Sequence, residues 1–335
     1  MPSLPKPRLR RSARAQAGPA TLPAEQLEPQ VEVVEADQPG GLRWINIPHY
    51  GAPEREWLEE HFDFHPLDYE DLRSRNQRPK VDDYDDYLFV VLQFPRYDKE
   101  LGRLNAAELD VFVGPDYVVT IPNRQIAALD YLFERCRSDE EFRSQLFGKG
   151  PGYLLYRVVD DSVDASFPML RKIGAKLESL EDGVFEGRSN EVVRDLFTAK
   201  QEVINFRTIV RPMRPALVDL ERTTSRYIAD DLEMYFDDIN DASERVWDIL
   251  ENFKEVVEAL EETNESVLSH QLNNILRILT AFSVILLPLT LITGIFGMNV
   301  HVPGQGEVEG FWLVVGGMFV VLLGILWAFR RRGIL

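Results

Sequence analysis

The sequence predicts an α+β soluble domain, a mixed sheet with helices, joined by a very long stalk helix to a two-helix transmembrane domain. Three observations lead there. Short β-branched and aromatic runs, punctuated by Pro and Gly, fill the chain from Val31 to Ile121. No Gly or Pro occurs from Asp230 until Pro288, while apolar residues recur there at three- and four-residue steps. Two stretches, 275–296 and 311–329, then reach the roughly 20 apolar residues that a helix needs to cross a bilayer.

Residues 1–30 are rich in Pro, Ala and Arg and read as a disordered tail. Arg8, Arg10, Arg11 and Arg14, with no early acids, fit an organelle transit peptide as the alternative. Pro recurs too often there for an amphipathic helix, and no apolar h-region marks a secretory signal. The 335-residue chain has a net charge of −18, which argues against nucleic acid as a partner. An acidic surface serves solubility and also raises the local concentration of cations. Cys136 is the single cysteine, so no intrachain disulfide forms, in keeping with a reducing compartment.

Residues 31–150 read as the α/β domain. Val31–Val34, Leu42–Ile47, Tyr87–Phe94, Leu109–Val113 and Tyr117–Ile121 are expected as strands, and Pro53–Phe62 as a helix. His61 and His65 stand four apart behind Glu60, a spacing met in zinc enzymes. Pro66 makes one helix through both unfavourable, and no glutamate lies between them. The acids Asp82, Asp83, Asp85 and Asp86 around Tyr84 lack the glycine and terminal glutamate of a calcium loop, so they read as a solvated turn.

Residues 151–229 read as an antiparallel helical hairpin. Leu154, Leu155, Val158, Val159, Val163, Phe167, Leu170, Ile173, Leu177 and Leu180 follow helical spacing. A break is expected at Gly187-Arg188-Ser189, with a second helix from Glu191 toward Arg211 that Pro212 and Pro215 kink or interrupt. The stalk occupies 230–274 and runs on into the span at 275–296. Its rod of some sixty residues measures roughly 90 Å. Val246, Ile249, Leu250, Phe253, Val256, Val257, Leu260, Val267, Leu268 and Leu272 form a seam that calls for partners, as in a parallel bundle between subunits.

The first span carries one charge, Arg277. At about 100° per residue, Leu276, Leu279, Thr280, Ser283, Leu287, Thr290, Gly294 and Gly297 share one face. Ile278, Phe282, Ile285, Leu289 and Ile292 fall largely opposite. Small and hydroxyl-bearing residues in front with bulky ones behind suit lipid on one side and a pore or tight helix contact on the other. Residues 297–310 form a loop with Glu307 and Glu309 and no Lys or Arg. In the second span, 311–329, Trp312 and Trp327 sit near the ends, and Gly316, Gly317 and Gly324 permit close packing. Residues 330–335 begin with Arg330, Arg331 and Arg332, which the positive-inside rule places in the cytoplasm. Two crossings then put the N-terminal domain on the same side.

The phrase Gly297-Met298-Asn299 caps the first of two terminal spans and follows Pro288-Leu289-Thr290. Together with His65-Pro66-Leu67-Asp68-Tyr69-Glu70-Asp71 and Gln77-Arg78-Pro79-Lys80, it makes the sequence resemble the CorA family of divalent-cation transport proteins. The likeness runs from about Trp44 to the C-terminus. It implies a homopentameric channel for Mg²⁺, with Co²⁺ and Ni²⁺ as further ions, in a bacterial or archaeal inner or plasma membrane. Its first span would line the pore. Two helices alone cannot enclose an aqueous path, so several chains are needed on physical grounds as well.

The resemblance assigns the selectivity filter to Gly297, Met298 and Asn299. Mg²⁺ parts from its water reluctantly, and neutral amide and carbonyl oxygens can accept hydrogen bonds from that water without stripping it. Asn273, Leu276, Leu279, Thr280, Ser283, Leu287, Thr290 and Gly294 would line the pore, the leucines as constrictions that gate by dewetting. Glu70, Asp71, Asp160 and Asp238 match the acids that hold regulatory intracellular Mg²⁺ between neighbouring domains. The implied partners are copies of the same chain, membrane lipid and divalent cations, with no organic cofactor and no enzymatic activity. Phe296 departs from the family's more frequent tyrosine, and Val302-Pro303-Gly304 from its commoner Met-Pro-Glu-Leu. Other readings are a zinc or nickel transporter, a membrane-tethered metal hydrolase using Asp68, Glu70 and Asp71, and a non-conducting metal sensor.

Overall fold

A computed structural model describes residues 28–38, 40–74, 77–98, 102–185, 189–224, 233–298 and 308–331. Almost all of the N-terminal tail, and Asn299, Glu307 and Arg332, lie outside these. The chain divides into two compact units.

The first unit comprises residues up to 96, 106–163 and 212–241. Its strands are β1 (Glu32–Glu35), β2 (Arg43–Asn46), β3 (Lys80–Asp83), β4 (Leu88–Asp98), β5 (Arg103–Val113) and β6 (Tyr117–Pro122), the hairpin end of β4 and β5 falling in the second unit. They form one mixed sheet in the order β1-β2-β6-β5-β4-β3. β2 and β6 run parallel, with Ile45 opposite Val119, whereas β5 and β6 are antiparallel, with Asp110 opposite Ile121. Leu88, Phe89, Val90, Val91 and Leu92 are all fully buried. A run without alternation means that β4 is covered on both faces.

On one face, α1 (Ala52–His61) and α2 (Pro66–Arg73) bring Leu58, Tyr69 and Leu72 onto Ile45, Phe89, Val91, Phe112 and Val119. On the other, Trp44 meets Phe133 of α3 (Ala127–Ser138) edge-to-face at 5.0 Å. α4 (Glu140–Phe147) follows, its N-terminus capped by Asp139, which accepts from the Phe142 amide at 3.0 Å. α5 (Pro151–Asp164) buries Leu154, Leu155, Val158 and Val159.

The second unit contains residues 97–105, 164–211 and 242 onward. Here α6 (Ser166–Phe185), the first part of α7 (Ser189–Thr224) and α8 (Glu233–Phe296) share a core of Leu170, Ile173, Leu177, Leu196, Val203, Phe206, Val246, Leu250 and Val257. Gly174 is a place of close approach: a Cβ there would stand 3.2 Å from the Phe253 ring. Lys200 pairs with Glu261 at 2.7 Å, and Lys176 with Glu202 at 3.2 Å. The sequence read the α8 seam as an interface between subunits. In the structure Val246, Leu250, Val257 and Leu260 are buried within the chain itself. The seam runs out at Leu272, 61% exposed, and apolar exposure continues from there to the end of the helix. α8 spans 64 residues, or roughly 96 Å. α9 (Val308–Arg331) is likewise apolar, and no residue of it is buried.

Several elements differ from expectation for identifiable reasons. The acidic turn begins with a strand: Lys80–Asp83 pairs with Leu88–Val91 at the sheet edge, where charged side chains are at home. The apolar series from 152 to 180 is broken between α5 and α6 because Pro168 is tolerated only in the first turn of a helix. Pro212 and Pro215 do not interrupt α7, which is helical throughout. Val210, Met213, Ala216 and Leu217 are buried around them, and such packing overrides the prolines' lost amides.

One buried polar cluster holds α2 to the sheet. Asp68, fully buried, accepts from the Tyr87 hydroxyl at 2.6 Å and the Tyr84 hydroxyl at 2.9 Å, while the His65 amide donates to Tyr87 Oη at 2.7 Å. Burial raises the Asp68 carboxyl, and the tyrosine hydrogen bonds pull it back only partly. Tyr87→Phe removes one donor from a buried carboxylate and orphans the His65 amide. It is expected to cost about 2–3 kcal/mol, read as a fall in thermal midpoint in detergent.

Candidate functional site

The apolar part of α8 keeps one helical register through Phe296, so the face beginning at Leu276 and Leu279 survives Pro288. Asn273, Leu276, Leu279, Thr280, Ser283, Leu287, Thr290 and Gly294 are all exposed. Thr280 donates to the Leu276 carbonyl at 2.7 Å, Ser283 to Leu279 at 2.9 Å and Thr290 to Leu286 at 2.8 Å. Each hydroxyl thus gives its one proton to the helix backbone and presents oxygen lone pairs outward. A face of acceptors interrupted by leucines suits a species whose outer atoms are donors, such as a hydrated cation. Ile278 and Phe282 on the opposite side are 52% and 62% exposed, an apolar surface left uncovered by the described residues.

The helix tightens at its end. The Gly297 amide donates to the Thr293 carbonyl at 2.9 Å and the Met298 amide to Ile295 at 3.3 Å. A Cβ on Gly297 would lie 2.9 Å from the Thr293 carbonyl oxygen, whereas one on Gly294 would meet nothing within 4 Å. Only Gly297 is therefore demanded by the chain's own backbone. Gly297→Ala is expected to displace the Met298 segment, read as a fall in thermal midpoint in detergent. Gly294→Ala should leave the thermal midpoint unchanged. Asn299 lies outside the described residues.

The four acids fall into two neighbourhoods. Glu70 and Asp71 lie on α2, Glu70 exposed and Asp71 engaged. Asp71 accepts from the Gln77 side-chain amide at 3.1 Å and from Lys80 Nζ at 2.7 Å. Burial works against the Lys80 charge, but hydrogen bonds to Asp71 and Asp82 outweigh it and raise the ammonium pKa. Asp160 on α5 pairs with Arg157 at 3.3 Å. Tyr156 joins Asp160 to Asp238: its hydroxyl pKa is raised by burial first, then by Asp160, with Asp238 also contributing. Asp238 on α8 is exposed. Among the described residues no three or more His, Cys, Asp or Glu of one chain are grouped to hold a metal. Sequence reading missed Gln77, Lys80 and Tyr156 as partners of these acids. The Gln77-Arg78-Pro79-Lys80 phrase was in view, but its fold-back onto α2 was not.

The hydrolase and zinc-enzyme constellations are not assembled. His61 ends α1, and His65 caps α2, accepting from the Leu67 amide at 3.3 Å, so the two belong to separate elements. His61 Nδ1 is 2.7 Å from the Trp57 carbonyl oxygen. Asp68 is held by tyrosines and Asp71 by Lys80.

Residues 39–331 match the family described as CorA-like Mg²⁺ transporter protein. The chain is 30% identical over 291 residues to the cobalt/magnesium transport protein CorA of Thermotoga maritima, spanning 86% of this chain and 82% of that one. It is 20% identical over 303 residues to the zinc transport protein ZntB of Yersinia pseudotuberculosis, spanning 89% of each. In fold it is similar to the CorA magnesium transporter of Methanocaldococcus jannaschii, with a TM-score of 0.77 at 23% identity over 88% of this chain and 92% of that one. The two exposed apolar helices and these likenesses converge: the chain belongs to the CorA-like Mg²⁺ transporter family, a membrane-spanning divalent-cation transporter and not an enzyme.

Proposed function

We propose that the chain assembles as a homopentameric channel that takes up Mg²⁺, and also Co²⁺ or Ni²⁺, with α8 lining the pore. The observation that carries this reading is the acceptor face from Leu276 to Gly297, which ends in Gly297-Met298-Asn299. Five copies around an axis would bring five Asn299 amides and five Gly297 carbonyls to the outer mouth. The ion meets them as a hydrated cation, and its waters donate to those oxygens. Below the mouth, Thr290 and Gly294 continue the polar track. Leu287, Leu279 and Leu276 narrow it to rings that dewet when closed, and Asn273 forms a polar ring at the inner end. Glu307 and Glu309 enrich cations outside. Both termini are cytoplasmic, by the arginines after 329.

Intracellular Mg²⁺ is the closing signal. Bound between Asp71 of one chain and Asp238 of the next, with Glu70 and Asp160 nearby, it offsets repulsion between carboxylates. Lys80 competes with the metal for Asp71. The test is flux into proteoliposomes. Mg²⁺ entry, blocked by Co²⁺ or Ni²⁺ and indifferent to a pH gradient, is expected. The likeness to ZntB favours one other reading, a zinc or nickel transporter coupled to protons. Zn²⁺ entry that requires the pH gradient, with no Mg²⁺ entry, would select it instead.

A further inference from the structure

A second acidic feature lies inside the first unit, on the strand behind Gln77. A cavity of about 110 Å³ has Tyr50, Glu108 and Asp110 in its wall. Glu108 and Asp110 are two apart on β5, so they leave the strand on the same face. They are 3% and 4% exposed. Glu108 Oε2 accepts from the Gln77 amide at 2.6 Å. The Asp110 carboxylate carries no hydrogen bond or ion pair among the described residues. The Tyr50 hydroxyl in the same wall is also buried without a partner. A buried carboxylate left in this state is costly unless something neutralises it.

We propose that this cavity binds one hydrated divalent cation within each protomer, anchored by the Glu108 and Asp110 carboxylates. The volume admits the ion with several of its waters. Mg²⁺ is commonly held by one or two carboxylates and otherwise by water, so the pair suffices without a third acid. Metal-bound waters donate hydrogen bonds, and Tyr50 Oη and the free lone pairs of Asp110 accept them. The local field has the matching sign. Burial, Glu108 and Asp71 all raise the Asp110 carboxyl well above its usual range, with Lys80 opposing them. Gln77 ties the site to Asp71, donating its amide to Glu108 and its side-chain amide to Asp71.

The test uses full-length protein in lipid nanodiscs with Mn²⁺ as probe, in an Asp71→Asn/Asp238→Asn background that removes the sites proposed between chains. Equilibrium dialysis should count one Mn²⁺ fewer per protomer when Asp110→Asn is added, and the same when Glu108→Gln is added. Retention of the count in Asp110→Asn overturns the proposal. Anomalous diffraction from Mn²⁺-soaked crystals of unaltered protein decides the matter even if a variant fails to fold. Density between the Glu108 and Asp110 carboxylates is expected, and its absence refutes the site. Neither readout depends on flux or on the Asn299 filter.

Discussion

Asn299→Ala is expected to reduce Mg²⁺ uptake into proteoliposomes by at least about tenfold, with the oligomer and its thermal midpoint preserved. One lost hydrogen bond contributes about 0.5–1.5 kcal/mol. In a symmetric ring the same acceptor vanishes from every subunit at once, so the total passes the roughly 1.4 kcal/mol that a tenfold change in rate requires. In sequence Asn299 follows the end of α8 at Phe296, and the buried seam of that helix lies far upstream, at Val246 to Leu260. Asn299→Asp gives a different outcome. Uptake should fall because the ion leaves more slowly, and half-saturation should move to lower Mg²⁺. Unchanged uptake by the alanine variant would remove the filter from its assigned place.

The second large effect concerns closure. In the Asp71→Asn/Asp238→Asn protein, internal Mg²⁺ should no longer stop uptake, and the concentration that half-inhibits flux should rise at least about tenfold. Each carboxylate removed would take a full charge from the site proposed between chains, and Mg²⁺ is usually held by only one or two carboxylates. Asp71→Asn also releases Lys80, so Lys80→Met alone is the control. Freed from competition at 2.7 Å, Asp71 should bind metal more tightly, and closure should occur at lower internal Mg²⁺. Flux of the double variant that still closes at the ordinary internal concentration would place the sensor elsewhere.

The long helix and both apolar spans were legible because their signals are local. A chain without Gly or Pro over more than fifty residues, and side chains too apolar for any alternative solvent, need no tertiary information. The central strands were legible for the same reason: β4 is a run of buried apolar residues. What escaped depends on partners distant in sequence. β3 reads as an acidic turn until Val90 and Val91 supply its edge pairing. α2 and α4 lack strong periodicity and are held by a histidine cap and an aspartate cap. Pro212 and Pro215 signal a break that buried neighbours cancel. The α8 seam was seen correctly as a seam, but pattern alone could not say that α6 and α7 of the same chain fill part of it.

The candidate site divides along the same line. The exposed hydroxyl-bearing face of α8 and the Gly297-Met298-Asn299 ending follow from helical spacing and a short phrase. Asp160 and Asp238 share Tyr156 only through tertiary contact, and the pairing of Asp71 with Lys80 needs the turn between α2 and β3. Glu108 and Asp110 carried no motif at all. Only the covered sheet face marks them out, as two carboxylates below 5% exposure.

The central claim is that identical chains surround one path for a hydrated ion, and stoichiometry in lipid tests it most directly. Native mass spectrometry of the full-length protein released from nanodiscs should give a single assembly of five chains in the presence of Mg²⁺. A protein that remains a single chain in lipid, while still carrying Mg²⁺ across the bilayer, would contradict the account.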